Sequence, residues 1–207
     1  STFPEKLSQT GCVDPANPAQ PAAGLIPYNP SASLWSDGAD KERLFALPDG
    51  KTITVGADGD FDLPIGSVAF KTFSLGGKKI ETRLFVRHDD GGWAGYTYEW
   101  LDDQSDALLL QSSKTKMVGA QSWYYPSRSD CVRCHTDAAG RTLGLELGRT
   151  ELEAHRPGGI RAQQAGPAGM PACPHRRVGM PKAVAVAHRE DHPARCGGRS
   201  EEHTSEL

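Results

Sequence analysis

Residues 131–135 read Cys131-Val132-Arg133-Cys134-His135, a C-x-x-C-H pattern. The spacing has a chemical reason. Two thiols separated by two residues reach the two vinyl groups of one haem and form thioether bonds with it. The histidine that follows turns its imidazole to the iron as proximal ligand. Covalent attachment holds the group with little protein around it, which suits a modest core. Other chemistry uses the same spacing. A C-x-x-C pair is half of a zinc site, but a closed structural site takes four ligands, and beyond His135 no convincing fourth lies nearby. A redox dithiol expects a βαβ context, whereas the residues before Cys131 are β-rich. Covalent haem is the leading expectation; zinc, a disulfide and a chance match are the alternatives.

Met or His usually supplies the sixth iron ligand. Met117 is the candidate distal ligand, ahead of His88, Met170 and Met180, each of which also reads as an ordinary surface or core residue. The remaining cysteines are Cys12, Cys173 and Cys196, giving five in all, so a framework of intrachain disulfides alone is excluded. Asp58, Asp60 and Asp62 form a D-x-D-x-D run, but Leu63 stands where a calcium loop needs Gly, and a solvated turn is expected. Residues Trp35 to Lys41 read either as a polar binding loop or as a turn leading into a strand. Ser36, Asp37 and His88 lack the spacing and the nucleophile elbow of a hydrolase triad. Trp93, Trp100 and Trp123 are expected to pack in the core or against haem.

Strands must position these residues. Short β-type runs fall at residues 51–55, 67–75, 79–88, 92–101, 107–111 and 121–125. Pro48-Asp49-Gly50, Ala57-Asp58-Gly59, Gly76-Gly77 and Asp89-Asp90-Gly91-Gly92 punctuate them as turns. This pattern predicts a mainly β fold: an antiparallel sandwich or barrel-like region, a short haem-attachment segment, then a disordered tail. The expected divisions are 1–33 as an extended, proline-rich lead-in, 34–126 as the β-rich domain, 127–153 as the attachment segment and 154–198 as tail. With 23 basic and 26 acidic side chains the net charge is −3, and no basic stripe marks a nucleic-acid partner. No apolar run near the ~18 residues of a membrane-spanning helix occurs. The chain begins at Ser1 without a signal peptide, which fits a mature or partial form and leaves the compartment open.

The tail has a separate explanation. From residue 126 onward there is no Phe, Tyr or Trp. Residues 155–198 are mainly Gly, Pro, Ala, Arg and His, too poor in apolar area to offset ordering. Residues 199–207, RSEEHTSEL, are the straight translation of AGATCGGAAGAGCACACGTCTGAACTC, a common sequencing adapter. The preceding stretch is then expected to be a frameshift product: codons for Ala165 to Met170, moved one base forward, can spell Leu-Ala-Arg-Leu-Gly. Raw reads supporting the frame as given would refute this.

Longer runs carry a resemblance. Phe3-Pro4-Glu5-Lys6-Leu7-Ser8 and Leu34-Trp35-Ser36-Asp37-Gly38-Ala39-Asp40-Lys41 resemble the opening of a bacterial family of exported di-haem c-type cytochromes. Pro64-Ile65-Gly66-Ser67, Lys71-Thr72-Phe73, Glu81-Thr82-Arg83-Leu84 and Gly92-Trp93-Ala94-Gly95-Tyr96-Thr97-Tyr98 follow in order. Tyr125 to Thr136, then Gly144-Leu145, resemble that family's first haem site. The likeness spans roughly residues 3–150 and implies a β-rich region before the haem. The second C-x-x-C-H of the family and an Asn-Gln-Leu segment are missing, as frameshift and truncation would cause. The expectation is a c-type cytochrome fragment carrying one haem c on Cys131 and Cys134, with His135 as ligand. It would be an electron carrier rather than an enzyme, periplasmic or extracellular, with a redox protein or dehydrogenase as partner. The alternative is a secreted β-sandwich binding module with a structural Cys pair or zinc site.

Overall fold

The computed structural model describes residues 3–32, 34–143, 145, 150–152 and 187–188. The protein is mainly β and antiparallel, as the run pattern predicts. The strands are β1 (Val13–Asp14), β2 (Asn17–Pro21), β3 (Ile26–Pro30), β4 (Asp40–Ala46), β5 (Thr54–Val55), β6 (Phe61–Asp62), β7 (Val68–Leu75), β8 (Lys78–Arg87), β9 (Trp93–Trp100), β10 (Ala107–Leu109), β11 (Lys114–Val118) and β12 (Gln121–Tyr125). Helix α1 (Arg128–Cys134), β13 (Thr150–Leu152) and β14 (Ala187–His188) follow. A seven-stranded sheet runs in the order β10-β9-β8-β7-β4-β3-β13. Short pairs β1-β2 and β11-β12 and a small sheet β14-β5-β6 flank it. Apart from 187–188, which pair in parallel with β5, the expected tail lies outside the described residues. Among the described residues no helix is long and apolar enough to cross a membrane.

Side chains alternate between the two faces of a strand, so paired rows alternate too. One row, Leu44-Phe70-Leu84-Tyr96, lies within the main apolar cluster. That cluster takes Leu7, Cys12, Val13 and Leu25 from the N-terminal segment onto the same face. Each such side chain contributes roughly 1.5–3 kcal/mol by leaving water. Polar groups on this side are internally paired: Thr72 and Thr82 share a hydroxyl hydrogen bond of 2.8 Å, and Trp100 Nε1 donates to Thr82 Oγ1 at 2.9 Å. The next row over, Arg43-Lys71-Arg83-Thr97, points to the opposite face. A further row on that opposite face is Phe45-Ala69-Phe85-Gly95.

The proline-rich lead-in is part of the core rather than an appendage. Tyr98 Oη donates to the Pro4 carbonyl at 2.8 Å, Leu109 N donates to Glu5 O at 2.8 Å, and Phe3 stacks on Tyr96. The Gly76-Gly77 turn has positive φ at both residues (55° and 79°), the backbone that a two-residue hairpin between twisted strands requires.

Candidate functional site

Helix α1 holds the C-x-x-C-H residues. Ser127 and Asp130 build its start: Ser127 Oγ accepts from Asp130 N, and Asp130 Oδ2 accepts from Ser127 N at 2.9 Å. This is a capping box with Asp in place of Glu. Hydrogen bonds from Ser127, together with the Tyr124 hydroxyl, hold the Asp130 carboxyl down at about 2. Cys131 and Cys134, three residues apart, share one side of the helix. Both are free thiols, Cys131 half-buried and Cys134 exposed. Cys131 rests on Gly95 of β9, so closely that a Cβ on Gly95 would lie 2.5 Å from its sulfur. Burial pushes the Cys131 thiol up, keeping it protonated at neutral pH.

His135 closes the helix. Its Nδ1–H donates to the Arg141 carbonyl at 2.5 Å, with the tautomer assigned from that acceptor. The Arg141 guanidinium donates back to the His135 carbonyl at 3.1 Å. The αL turn at Gly140, φ 63°, brings Arg141 round to this position. The imidazole lies over Phe85 at 4.3 Å, and Phe85 stacks in turn on Trp93 at 4.9 Å. Burial lowers the His135 pKa, so the ring is neutral at pH 7. A neutral ring whose Nδ1 is tied to a carbonyl keeps the Nε2 lone pair for a metal.

Cys134 and His135 line a cavity of about 660 Å³, within the usual size of ligand sites. Arg43, Lys71 and Arg83 line it from the central sheet, and Trp123 lines it from β12. Glu81, fully buried, binds Arg83 through both oxygens at 2.5 and 2.9 Å and accepts from Trp123 Nε1 at 3.0 Å. Burial, reinforced by Arg43, Arg83 and Lys41, drives the Lys71 pKa down to about 8. Burial also raises the neighbouring Tyr28 hydroxyl to about 12.

The structure brings Cys131, Cys134 and His135 together on one short segment, but not Met117. Met117 is 61% exposed on β11 and lines a different cavity, with Trp100 and Tyr125. His88 bonds Tyr96 Oη at 3.0 Å and is absent from the lining of the His135 cavity. Met170 and Met180 lie outside the described residues, as do Cys173 and Cys196. Cys12 sits in the core. The Trp35–Lys41 alternatives merge: Asp37 and Gly38 form a turn with positive φ into β4, and exposed Leu34 and Trp35 line the cavity. Ser36 Oγ donates to the Ala39 carbonyl, and nothing joins it to His88. Asp58 and Asp60 shape the β5–β6 hairpin, and Asp62 pairs with Arg87. Among the described residues no group of three or more His, Cys, Asp or Glu side chains is placed to hold a metal ion. Trp100 belongs to the main core, whereas Trp93 supports the His135 stack and Trp123 lines the cavity.

Arg43, Gly140 and Arg141 belong to no motif in the sequence, and Gly95, Lys71 and Arg83 fall within the runs that carry the resemblance without any sign there of a site role. The Ser127-x-x-Asp130 spacing would have signalled the helix start. The cations carry no comparable signal, because strand pairing alone sets them beside one another. Comparison of the chain with protein-family models, with curated proteins and with solved structures finds no match.

Proposed function

We propose that this chain is a c-type cytochrome that moves single electrons through one haem attached covalently to Cys131 and Cys134. The observation that carries the reading is His135: a neutral imidazole in a C-x-x-C-H context, tied by Nδ1 to the Arg141 carbonyl beside a cavity. The chemistry of the donor set supports the group, with Cys134 and His135 on the cavity and Cys131 packed against Gly95 on the same short helix. Cys131 and Cys134 would each add across a vinyl group, sulfur bonding one carbon and the thiol hydrogen going to the other, with no oxidant consumed. His135 Nε2 would serve as a ligand to the iron. When bound, the group supplies reversible one-electron chemistry at its iron. The chain's own residues do the rest. Ser127 and Asp130 fix the helix that presents the thiols, Phe85 and Arg141 hold the imidazole plane, and Trp123 shields one wall of the cavity.

The ordered motif resemblance to bacterial di-haem c-type cytochromes supports the same reading. Haem attachment of this kind occurs outside the cytoplasm, so the protein works in the periplasm or at the cell surface. Its partner is then a redox protein or a dehydrogenase.

The test is export of the full chain in a bacterium carrying the haem-attachment machinery, followed by a pyridine haemochrome spectrum after denaturation. A c-type spectrum that disappears in Cys131→Ala/Cys134→Ala is the expected result. A folded, colourless protein overturns the proposal. Metal analysis of that colourless protein would then separate a zinc site from a plain β binding module.

A further inference from the structure

Strand pairing sets Arg43, Lys71 and Arg83 side by side on β4, β7 and β8, facing the cavity. Like charges directly opposite one another destabilise a sheet. Among the described residues only part of this charge is answered. Arg83 forks onto Glu81, and the Lys41 ammonium donates to the Leu34 carbonyl. Among the described residues the Arg43 and Lys71 side chains have neither a hydrogen bond nor an ion pair, although Arg43 is only 8% exposed. Asp37 also lines the cavity, and its carboxylate accepts from Trp35 Nε1 at 3.2 Å. A buried and a half-buried cation, both unpaired among the described residues and facing a cavity, match an anionic ligand, because a charge withdrawn from water is costly unless it is paired.

We propose that Arg43 and Lys71, backed by Lys41 and Arg83, form a receptor for the carboxylate groups of a ligand seated beside His135. A guanidinium offers a carboxylate two parallel N–H donors, and an ammonium adds a point charge with free geometry. Two sources share this chemistry. One is the pair of carboxylate side chains on the haem, and this arm rests on the function proposed above. The other is a free small dicarboxylate.

The experiment uses the full chain purified from the cytoplasm without haem. It is titrated with haemin and with haemin dimethyl ester, whose carboxylates are blocked, while the Soret band is followed. The wild type is expected to bind haemin tighter than the ester by about tenfold or more. Lys71→Met and Arg43→Gln each reduce the preference and the double variant abolishes it, with circular dichroism confirming the fold. Should neither porphyrin bind, the haem reading fails in this form of the protein and calorimetry with succinate decides. Succinate binding that the double variant loses sustains the receptor with a free acid as occupant. A porphyrin preference that survives the double variant, equal binding of acid and ester, or binding of neither porphyrins nor succinate overturns the inference.

Discussion

Replacing Lys71 with methionine removes a charge from the sheet while keeping much of the side-chain length. The drop of the Lys71 pKa from 10.5 to about 8 corresponds to roughly 3 kcal/mol of unfavourable interaction for the charged form. The sign follows from proton binding. The unfolded chain holds this proton to its ordinary pKa, whereas the folded chain releases it near 8, so in between the unfolded state binds more protons and stability rises with pH. From pH 7 to pH 9 the gain from this group is about 1.3 kcal/mol. Other groups act oppositely: Cys131 and Tyr28 have raised pKa values and lose stability as pH climbs past their unfolded values. They are common to both proteins, so the difference between wild type and Lys71→Met isolates the lysine. The assay is urea unfolding of the haem-free full chain, followed by tryptophan fluorescence at pH 7, 8 and 9. Lys71→Met is expected to be more stable at pH 7 by ~2–3 kcal/mol, an advantage that shrinks by about 1.3 kcal/mol at pH 9. Parallel profiles with equal stability at pH 7 would refute the claim that the row stores unanswered charge.

Further changes probe the mounting of the thiols and the histidine. Gly95→Ala places a methyl 2.5 Å from the Cys131 sulfur; overpacking of ~1–3 kcal/mol should lower the urea midpoint and speed Cys131 alkylation, and an unchanged alkylation rate would contradict the close approach. Gly140→Ala meets both the positive φ and the Asp60 carboxylate, with a cost of at least ~1 kcal/mol. The displaced Arg141 carbonyl should then let the His135 ring sample both tautomers, visible in imidazole nitrogen shifts; a single retained tautomer would count against the clamp. Ser127→Ala should cost about 1 kcal/mol in stability. It should also raise the Asp130 pKa from about 2 toward its ordinary value, since Ser127 supplies the largest lowering contributions; carboxyl NMR titration decides this.

Much of this architecture was legible in the sequence where one physical signal acted alone. Aromatic and β-branched alternation located β7, β8, β9 and β12 to within about two residues, because those strands each put one face into an apolar core. Strand β4 escaped because Asp40-Lys41-Glu42-Arg43 has a solvated look, and only pairing with β7 explains its extended form. Strands β2 and β3 escaped because their prolines read as breakers; among the described strands β2 pairs with β1 alone, and such an edge can carry them. Strand β11 lacks apolar alternation and depends on its hairpin with β12. At the site, C-x-x-C-H is a local signal and could be read directly. Arg43, Lys71 and Arg83 lie 28 and 12 positions apart, as their register pairs show, and nothing local marks them as neighbours.

The two faces of the central sheet have a consequence for strand pairing. A slip of one residue moves every side chain of a strand to the opposite face. In β7 such a slip would drive Lys71 among Leu84, Val86 and Tyr98 and turn Phe70 toward the cavity. In β8 it would bury Arg83 in the same apolar layer. The cations that weaken the correctly paired sheet weaken each misaligned one far more. They therefore act as a register lock, widening the gap between the native pairing and its nearest competitors.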